Sequence, residues 1–184
     1  TDATQVVELK DSILTSSGAK LLPLIQITAG PDQGKILSIP PGKKFIIGRS
    51  RDVDLTLHDP SCSRQHAEIF PGVDDAIYIK DLGSLNGTKI NGETIKEATA
   101  LKDGDRIQLA DNVTLRFILT PESDAKVQLD MYLRATRDPL TNAFNRRSFN
   151  ESLTRELAVQ LRHGDKGLGL IMLDVDHFKR INDS

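Results

Sequence analysis

The sequence predicts a mainly β protein that becomes helical in its last third. Two observations predict the β part: apolar runs of strand length, and dense turn residues between those runs over residues 24–119. A third observation, the change to helical spacing after Pro121, predicts the helices. The apolar runs are rich in Ile, Val and Phe and lie at 24–27, 35–39, 45–47, 76–79 and 113–117. Strand-length runs separated by Gly, Pro and Asn-Gly turns are typical of a β-sandwich or barrel.

One of these runs shows the period expected of a half-buried strand. Val113, Leu115 and Phe117 alternate with polar residues, so the three apolar side chains share one face. No helical period is sustained within residues 24–119. We therefore predict an antiparallel β-sandwich over this range, preceded by a polar, flexible tail at residues 1–23.

A linker helix is predicted within residues 120–137. From Glu122 onward this stretch lacks Gly and Pro, and Ala125 and Leu129 fall at helical spacing. Pro139 should end the helix, because proline removes a backbone donor and clashes with the preceding turn.

A second helix is predicted from about Arg146 to His163, because apolar residues repeat every four positions there. A buried strand should follow at 168–173, where a short continuous apolar run is typical of an α/β layer. Residues 138–184 are thus predicted to be the opening helix and strand of a truncated α/β domain, and because a single strand cannot make a sheet, we expect this part to be poorly folded or only partly helical.

Composition and charge exclude several classes of function. Charged residues make up 27% and hydrophobic residues 38% of the chain, as in globular domains. The longest apolar runs, such as 168–173, are too short to span a membrane. A formal net charge of −2 disfavours nucleic acid as a partner. Cys62 is the one cysteine and cannot form an internal disulfide, which favours a cytoplasmic location.

Two polar loops of the β region carry residues suited to binding phosphate. The first contains Gly48-Arg49 after an apolar run and then Ser63-Arg64-Gln65-His66, and the second contains Asn86-Gly87-Thr88. These three motifs, in this order on one predicted sandwich, resemble the forkhead-associated (FHA) family. The resemblance covers essentially all of residues 24–119.

The resemblance implies a site that binds phosphothreonine peptides. Arg49 and Ser63 would hold the phosphate with Arg64 alongside, and Asn86 would hydrogen-bond the peptide backbone. A phosphate has up to two negative charges and three acceptor oxygens, which the planar fork of an arginine suits better than a lysine does. Leu85 stands where the family usually has Thr or Ser, so weaker phosphate binding is expected.

Three further residues would support this site by the same resemblance. Gly48 would permit close packing behind Arg49, His66 would brace the loop from inside, and Gly87 would complete the Asn-Gly turn. From the residues alone, other readings stay open: Arg49 could be an ordinary surface arginine, and Ser63 a turn residue.

The N-terminal tail contains a candidate ligand for such a site. Thr4 has Asp2 two positions before it and Gln5 and two valines after it. That pattern resembles the substrates of bacterial Ser/Thr kinases whose products FHA domains read. We expect phosphorylated Thr4 to bind an FHA site on its own chain or on a neighbour, and an inert tail is the alternative.

Two blocks near the C-terminus are RDPLTNAFNRR (137–147) and DVDHFKRIND (174–183). They resemble the N-terminal part of the GGDEF domain, found in diguanylate cyclases that condense two GTP molecules into cyclic di-GMP. Asp174 and Asp176 lie two apart after an apolar run, so both can face one side, and carboxylate oxygens suit Mg²⁺.

The GGDEF resemblance also implies roles for single residues. Asp174 and the carbonyl of Val175 would bind Mg²⁺, Phe178 and Lys179 would lie near the GTP phosphates, and Asn182 would recognise guanine. The chain ends before the Gly-Gly-Asp/Glu-Glu-Phe signature, so we expect this polypeptide to be inactive as an enzyme.

The expected function is that of a phosphothreonine sensor controlling a bacterial diguanylate cyclase. Its partners would be a phosphothreonine peptide, a Ser/Thr kinase and, in the parent protein, GTP. Because the reaction joins two GTP molecules, the parent should act as a homodimer. Two alternatives stay open: a non-catalytic scaffold with a degenerate GGDEF domain, and a sandwich that binds partners without reading phosphate.

Overall fold

The computed structural model describes residues 13–14, 20–73, 76–163, 167–174 and 176. Contacts divide the chain into two units, Thr1–Ala135 and Thr136–Ser184, which are described separately. The first unit is mostly β and ends in a helix, so the predicted mainly β fold is confirmed. The flexible tail predicted at residues 1–23 was too long, because Ile13–Leu14 pairs antiparallel with a strand that begins at Lys20.

Twelve strands are described in the first unit. In chain order they are β1 (Ile13–Leu14), β2 (Lys20–Ala29), β3 (Ile36–Ser38), β4 (Phe45–Gly48), β5 (Leu55–Thr56), β6 (Ala67–Pro71), β7 (Ile77–Asp81), β8 (Thr88–Ile90), β9 (Glu93–Thr94), β10 (Thr99–Ala100), β11 (Arg106–Leu109) and β12 (Val113–Pro121).

These strands form two sheets. One has the order β1-β2-β12-β11-β8-β9 with β3 also paired to β2, and the other has the order β10-β7-β6-β4-β5. All pairs are antiparallel except β4 and β5, which run parallel over two residues each. That parallel pair is a local exception to the predicted antiparallel sandwich. It forms because the loop at 49–54 returns the chain to the end of β4, where the amide of Leu57 donates to the carbonyl of Gly48 at 2.8 Å.

The core lies between the two sheets and is built mainly of Ile, Leu and Phe. On β12, Val113, Leu115 and Phe117 are buried and Arg116 is exposed, as the alternation predicted. Thr114 departs from the pattern because it is also buried. A register shift between β12 and β2 occurs at this residue, and its carbonyl accepts a hydrogen bond from the Thr28 hydroxyl at 3.2 Å.

Strand β2 is buried on both faces. Ile25 and Ile27 point into the core, while Leu22 and Leu24 form a second apolar cluster with Ala125 of helix α1 (Glu122–Thr136). The helix begins directly after β12 and packs back on the outer face of the sheet. The predicted linker helix is therefore present, and it explains why β2 is apolar without alternation.

The second unit contains helix α2 (Arg146–His163), with the predicted bounds. Asn145 caps it, since its side-chain oxygen accepts the amide of Ser148 at 2.9 Å. In the preceding turn, the carboxylate of Asp138 accepts hydrogen bonds from the amides of Leu140 and Thr141 and from the Thr141 hydroxyl.

The strand predicted at 168–173 is not formed. Residues 167–174 have no regular secondary structure, and the side chains of Ile171, Met172 and Leu173 are more than four-fifths exposed. A strand needs a neighbour for its backbone hydrogen bonds, and the described part of this unit offers no other strand. The prediction was wrong because an apolar run indicates that a segment can be buried, but does not indicate whether a neighbouring strand is present to pair with it.

No helix among the described residues combines the length and apolarity needed to cross a lipid bilayer.

The packing of α1 predicts a difference between two glutamate substitutions on that helix. Ala125 is fully buried against the sheet, whereas Val127 is 53% exposed. Ala125→Glu should lower the free energy of unfolding by about 2 kcal/mol, since the charge must be buried or the helix must detach. Val127→Glu should change it by less than about 0.5 kcal/mol. Urea unfolding of the two variants would measure this, and equal effects would contradict the described docking of α1.

Candidate functional site

Three loops of the sandwich meet at one place. They are residues 49–54 after β4, residues 57–66 before β6, and residues 82–87 between β7 and β8. The amide of Arg49 donates to the Ser63 carbonyl at 2.9 Å, which joins the first two loops. The side-chain amide of Asn86 donates to the Ser61 carbonyl at 2.8 Å, which joins the last two.

Gly48 allows the second loop to lie directly against the end of β4. A Cβ added at Gly48 would overlap the carbonyl oxygen of Arg64 and lie 2.9 Å from that of Ser63. The amide of Ser50 donates to the same Arg64 carbonyl at 3.1 Å. Gly48 is therefore required for space, not for an unusual backbone conformation.

His66 lies beneath the loops and is fully buried. Its Nδ1 accepts the amide of Ser63 at 3.2 Å, and its Nε2 is 3.1 Å from the carbonyl of Gly87. Because Nδ1 is an acceptor, Nε2 carries the proton and donates to that carbonyl. One ring thus joins the loop of Ser63 to the Asn-Gly turn, where Gly87 has a φ of 74°.

The hydroxyl of Ser63 is oriented by Leu85. Its Oγ accepts the amide of Leu85 at 3.0 Å, so its own proton is available to a ligand. Arg49 and Arg64 are exposed, and within the described residues neither guanidinium has an ion pair or a hydrogen bond. Hydrogen bonds thus join the loops that carry Arg49, Ser63, Arg64 and Asn86, and both guanidinium groups are exposed.

Asp81 shapes the third loop, and sequence reasoning missed it. Its carboxylate accepts the amides of Gly83 and Ser84, the Ser84 hydroxyl at 2.7 Å and the Thr88 hydroxyl at 2.6 Å. Burial alone would raise the pKa of Asp81, but these hydrogen bonds together hold it below its usual value. The signal was available, because an Asp two residues before a Gly and three before a Ser commonly folds such a turn.

Cys62 lies in the middle of the second loop but faces inward. It is buried, and burial together with the nearby carboxylates of Asp59 and Asp32 raises the pKa of its thiol to about 12. The thiol therefore stays protonated at neutral pH and is a poor nucleophile.

Of the predicted GTP and metal residues, the structure describes Asp174, together with the neighbouring Asp176. Asp174 and Asp176 are exposed and lie in or beside the irregular segment at 167–174. Val175, Phe178, Lys179 and Asn182 lie outside the described residues, as does Thr4 of the tail. Within the described part of the chain, no group of three or more His, Cys, Asp or Glu side chains could hold a metal ion.

The close packing at Gly48 makes a sharp prediction about stability. Gly48→Ala should lower the free energy of unfolding by about 1–3 kcal/mol, because the methyl group overlaps a backbone carbonyl that cannot move without displacing the loop. Gly169→Ala is the matched control, since nothing lies within 4 Å of its Cβ position. Chemical denaturation measures both, and a Gly48→Ala variant as stable as the control would contradict the packing described.

Comparison with known proteins gives the same two-part division. Glycogen accumulation regulator GarA of Mycolicibacterium smegmatis is 36% identical over 114 residues, which is 59% of this chain and 68% of that protein. Diguanylate cyclase DgcP of Pseudomonas aeruginosa is 51% identical over 55 residues, which is 29% of this chain but only 8% of that protein. A solved structure of Mycobacterium tuberculosis EmbR in complex with a low-affinity phosphopeptide matches with a TM-score of 0.50 and 27% identity, covering 60% of this chain and 27% of that one.

Family matches assign both parts of the chain. The FHA domain matches residues 45–110, which include all three loops of the site. The diguanylate cyclase GGDEF domain matches residues 135–184. The chain therefore belongs to the FHA family, and its FHA domain is followed by the N-terminal part of a GGDEF domain.

Proposed function

We propose that this chain is the phosphothreonine-sensing part of a bacterial signalling protein whose remaining part is a diguanylate cyclase. The observation that supports the proposal is the set of hydrogen bonds that join the three loops carrying Arg49, Ser63 and Asn86. An FHA domain joined to a GGDEF domain is itself the arrangement of a signalling protein.

The chemistry of the face fits a phosphate group. The exposed guanidinium of Arg49 can donate two hydrogen bonds in a plane, and Arg64 adds a second positive charge. The proton of the Ser63 hydroxyl is free to donate, because its oxygen already accepts the Leu85 amide. Each hydrogen bond to a charged group contributes about 1.5–3 kcal/mol, so three of them at the upper end of that range reach the roughly 8 kcal/mol that micromolar binding of a short peptide requires.

Asn86 is suited to holding the peptide backbone beside the phosphate. Its amide nitrogen donates to the Ser61 carbonyl, which fixes the side chain and leaves its oxygen free to accept a peptide N–H. The similar EmbR structure was solved with a phosphopeptide bound, which supports a phosphopeptide as the ligand class here.

The N-terminal tail supplies one candidate peptide. The proposal is that a Ser/Thr kinase phosphorylates Thr4 and that the product binds this site in cis or in a neighbouring chain. Because Ile13–Leu14 pairs with β2, about nine residues link Thr4 to the sandwich, and a flexible chain of that length has an r.m.s. span of roughly 15–18 Å. The support for this step is the sequence around Thr4 alone.

For residues 135–184, the proposal is that they open a domain that joins two GTP molecules into cyclic di-GMP in the longer natural protein. Asp174 and the Val175 carbonyl would hold Mg²⁺, Phe178 and Lys179 would approach the phosphates, and Asn182 would contact guanine. The support is the match to the GGDEF family and to DgcP. Two bound GTP molecules imply a homodimer, and kinase and GTP together imply the cytoplasm.

The sensor is tested with a peptide library that has phosphothreonine at its centre and three degenerate positions on each side. The wild type should retain the library with micromolar affinity and should not retain the matching threonine library. Arg49→Ala or Ser63→Ala should weaken binding about tenfold to a hundredfold, since each removes a hydrogen bond to a charged group. Arg106→Ala on β11 removes the same charge elsewhere and should change nothing.

The same assay separates the alternatives. If Arg49→Ala and the wild type bind the phosphothreonine library equally, the sandwich recognises its partners without contacting phosphate. A peptide of residues 1–9 that binds no better with phosphate on Thr4 than without it would exclude the tail as a ligand and leave the sensor intact.

The catalytic part is tested on the natural full-length protein. It should convert GTP to cyclic di-GMP in the presence of Mg²⁺, and Asp174→Asn should abolish the product while leaving phosphopeptide binding unchanged. Product analysis by chromatography would measure this. GTP binding without turnover would instead favour the alternative of a non-catalytic scaffold.

A further inference from the structure

We propose that Asp32, in the turn between β2 and β3, is a positioning residue for the phosphate-binding loop, because it holds His58 at the start of the segment that carries Ser63. This inference rests on the proposed function, since its main readout is phosphopeptide affinity. Asp32 and Ser63 are thirty-one positions apart in the sequence, and no sequence motif connects them.

Asp32 is a buried carboxylate with three partners. Its Oδ2 accepts the backbone amide of His58 at 2.7 Å. Its Oδ1 lies 2.7 Å from Nδ1 of His58 and 2.7 Å from Nζ of Lys35. Only 2% of Asp32 is exposed, so water contributes little to satisfying the carboxylate. A buried charge held by several donors adopts one orientation, which makes it a rigid anchor.

The charge of this anchor persists at neutral pH. Burial alone would raise the pKa of Asp32, but the hydrogen bonds from His58 and the positive charge of Lys35 hold it well below its usual value. The ionised group orients His58 through both its backbone and its side chain. His58 itself is partly exposed, so its ring covers the carboxylate from the solvent side.

The segment that His58 begins contains the site residues. Leu57 is held to β4, and Ser63 and Arg64 are held to Arg49 and Ser50. Between these two attachments the chain makes a turn around Asp59, whose carboxylate accepts the amide of Ser61 at 2.8 Å.

The described hydrogen bonds that hold residues 58–62 from outside this turn come from Asp32 and from Asn86, while Cys62 packs into the core between the sheets. Asp32 lies between two strands of the larger sheet, whereas the segment joins two strands of the smaller one. The anchor therefore ties the two sheets together at the edge where the phosphate would bind.

Loss of the anchor should weaken binding without unfolding the domain. A segment free to move must be ordered when the peptide binds, and that ordering reduces affinity. Asp32→Ala should weaken phosphopeptide binding roughly tenfold. Asp32→Asn retains one hydrogen-bond acceptor, so its phosphopeptide affinity should fall only about threefold. His58→Ala leaves the backbone hydrogen bond to Asp32 in place, so its affinity should fall by a similar amount.

The test uses the phosphothreonine library on the whole chain and a matched control. Asp103→Ala removes another turn carboxylate that accepts a backbone amide, that of Leu119 at 2.8 Å, but lies on the turn before β11. It should change affinity by less than about twofold. The second readout is amide hydrogen exchange: Ser61 and Cys62 should exchange faster in the Asp32 and His58 variants, while the core amide of Ile69 keeps its wild-type rate.

The affinities of the Asp32, His58 and Asp103 variants decide whether Asp32 positions the phosphate-binding loop. Wild-type affinity in folded Asp32→Ala, or an equal loss in Asp103→Ala, would overturn the positioning role. If Asp32→Ala does not fold, Asp32→Asn and His58→Ala carry the test, and wild-type affinity in both would overturn it. If the wild type retains no phosphothreonine peptide, the proposed function fails, and unchanged exchange at Ser61 and Cys62 would then overturn the loop anchoring as well.

Discussion

The contact on which the site depends is the one between Gly48 and the carbonyls of Ser63 and Arg64. Because the glycine has no side chain, the loop before β6 can lie against the end of β4 and hydrogen-bond to the two residues that follow it. That contact brings a guanidinium and a hydroxyl from segments fourteen residues apart onto one surface. The remaining attachments, through His66 and Asn86, add the third loop to a pair of loops that Gly48 has already joined.

Hydrogen bonds within the chain hold the three loops of the site in place. Most hydrogen bonds that shape it run from side chains to backbone groups: His66 to Ser63 and Gly87, Asp81 to Gly83 and Ser84, and Asn86 to Ser61. Such bonds fix the course of the loops while leaving charged side chains free, because the backbone provides the partner. The arginines consequently remain exposed and unpaired within the described structure, although the chain as a whole has more acidic than basic residues.

Much of the fold and part of the site could be predicted from the sequence. Strand-length runs, turns and helical spacing are local signals, so the sandwich and both helices could be predicted from them. The order of the three motifs indicated Arg49, Ser63 and Asn86. The contact of Asp32 with His58 was not predictable, because twenty-six positions separate the two residues and only the packing of the sheets brings them together. The strand expected at 168–173 failed for the related reason that a pattern of apolar residues does not specify its partner. Burial of Thr114 depends on a register shift that no periodicity records.

The junction of β12 and α1 has a mechanical consequence. Pro121 is the last residue of the strand and Glu122 the first of the helix, so no flexible spacer separates them. The strand is paired with β2 over eight positions, and Ala125 and Leu129 rest on the same sheet. Because the strand runs directly into the helix and the helix packs on the sheet, a displacement of β12 would move the start of α1 with it. Bending between β12 and α1 would first require the helix to separate from the sheet.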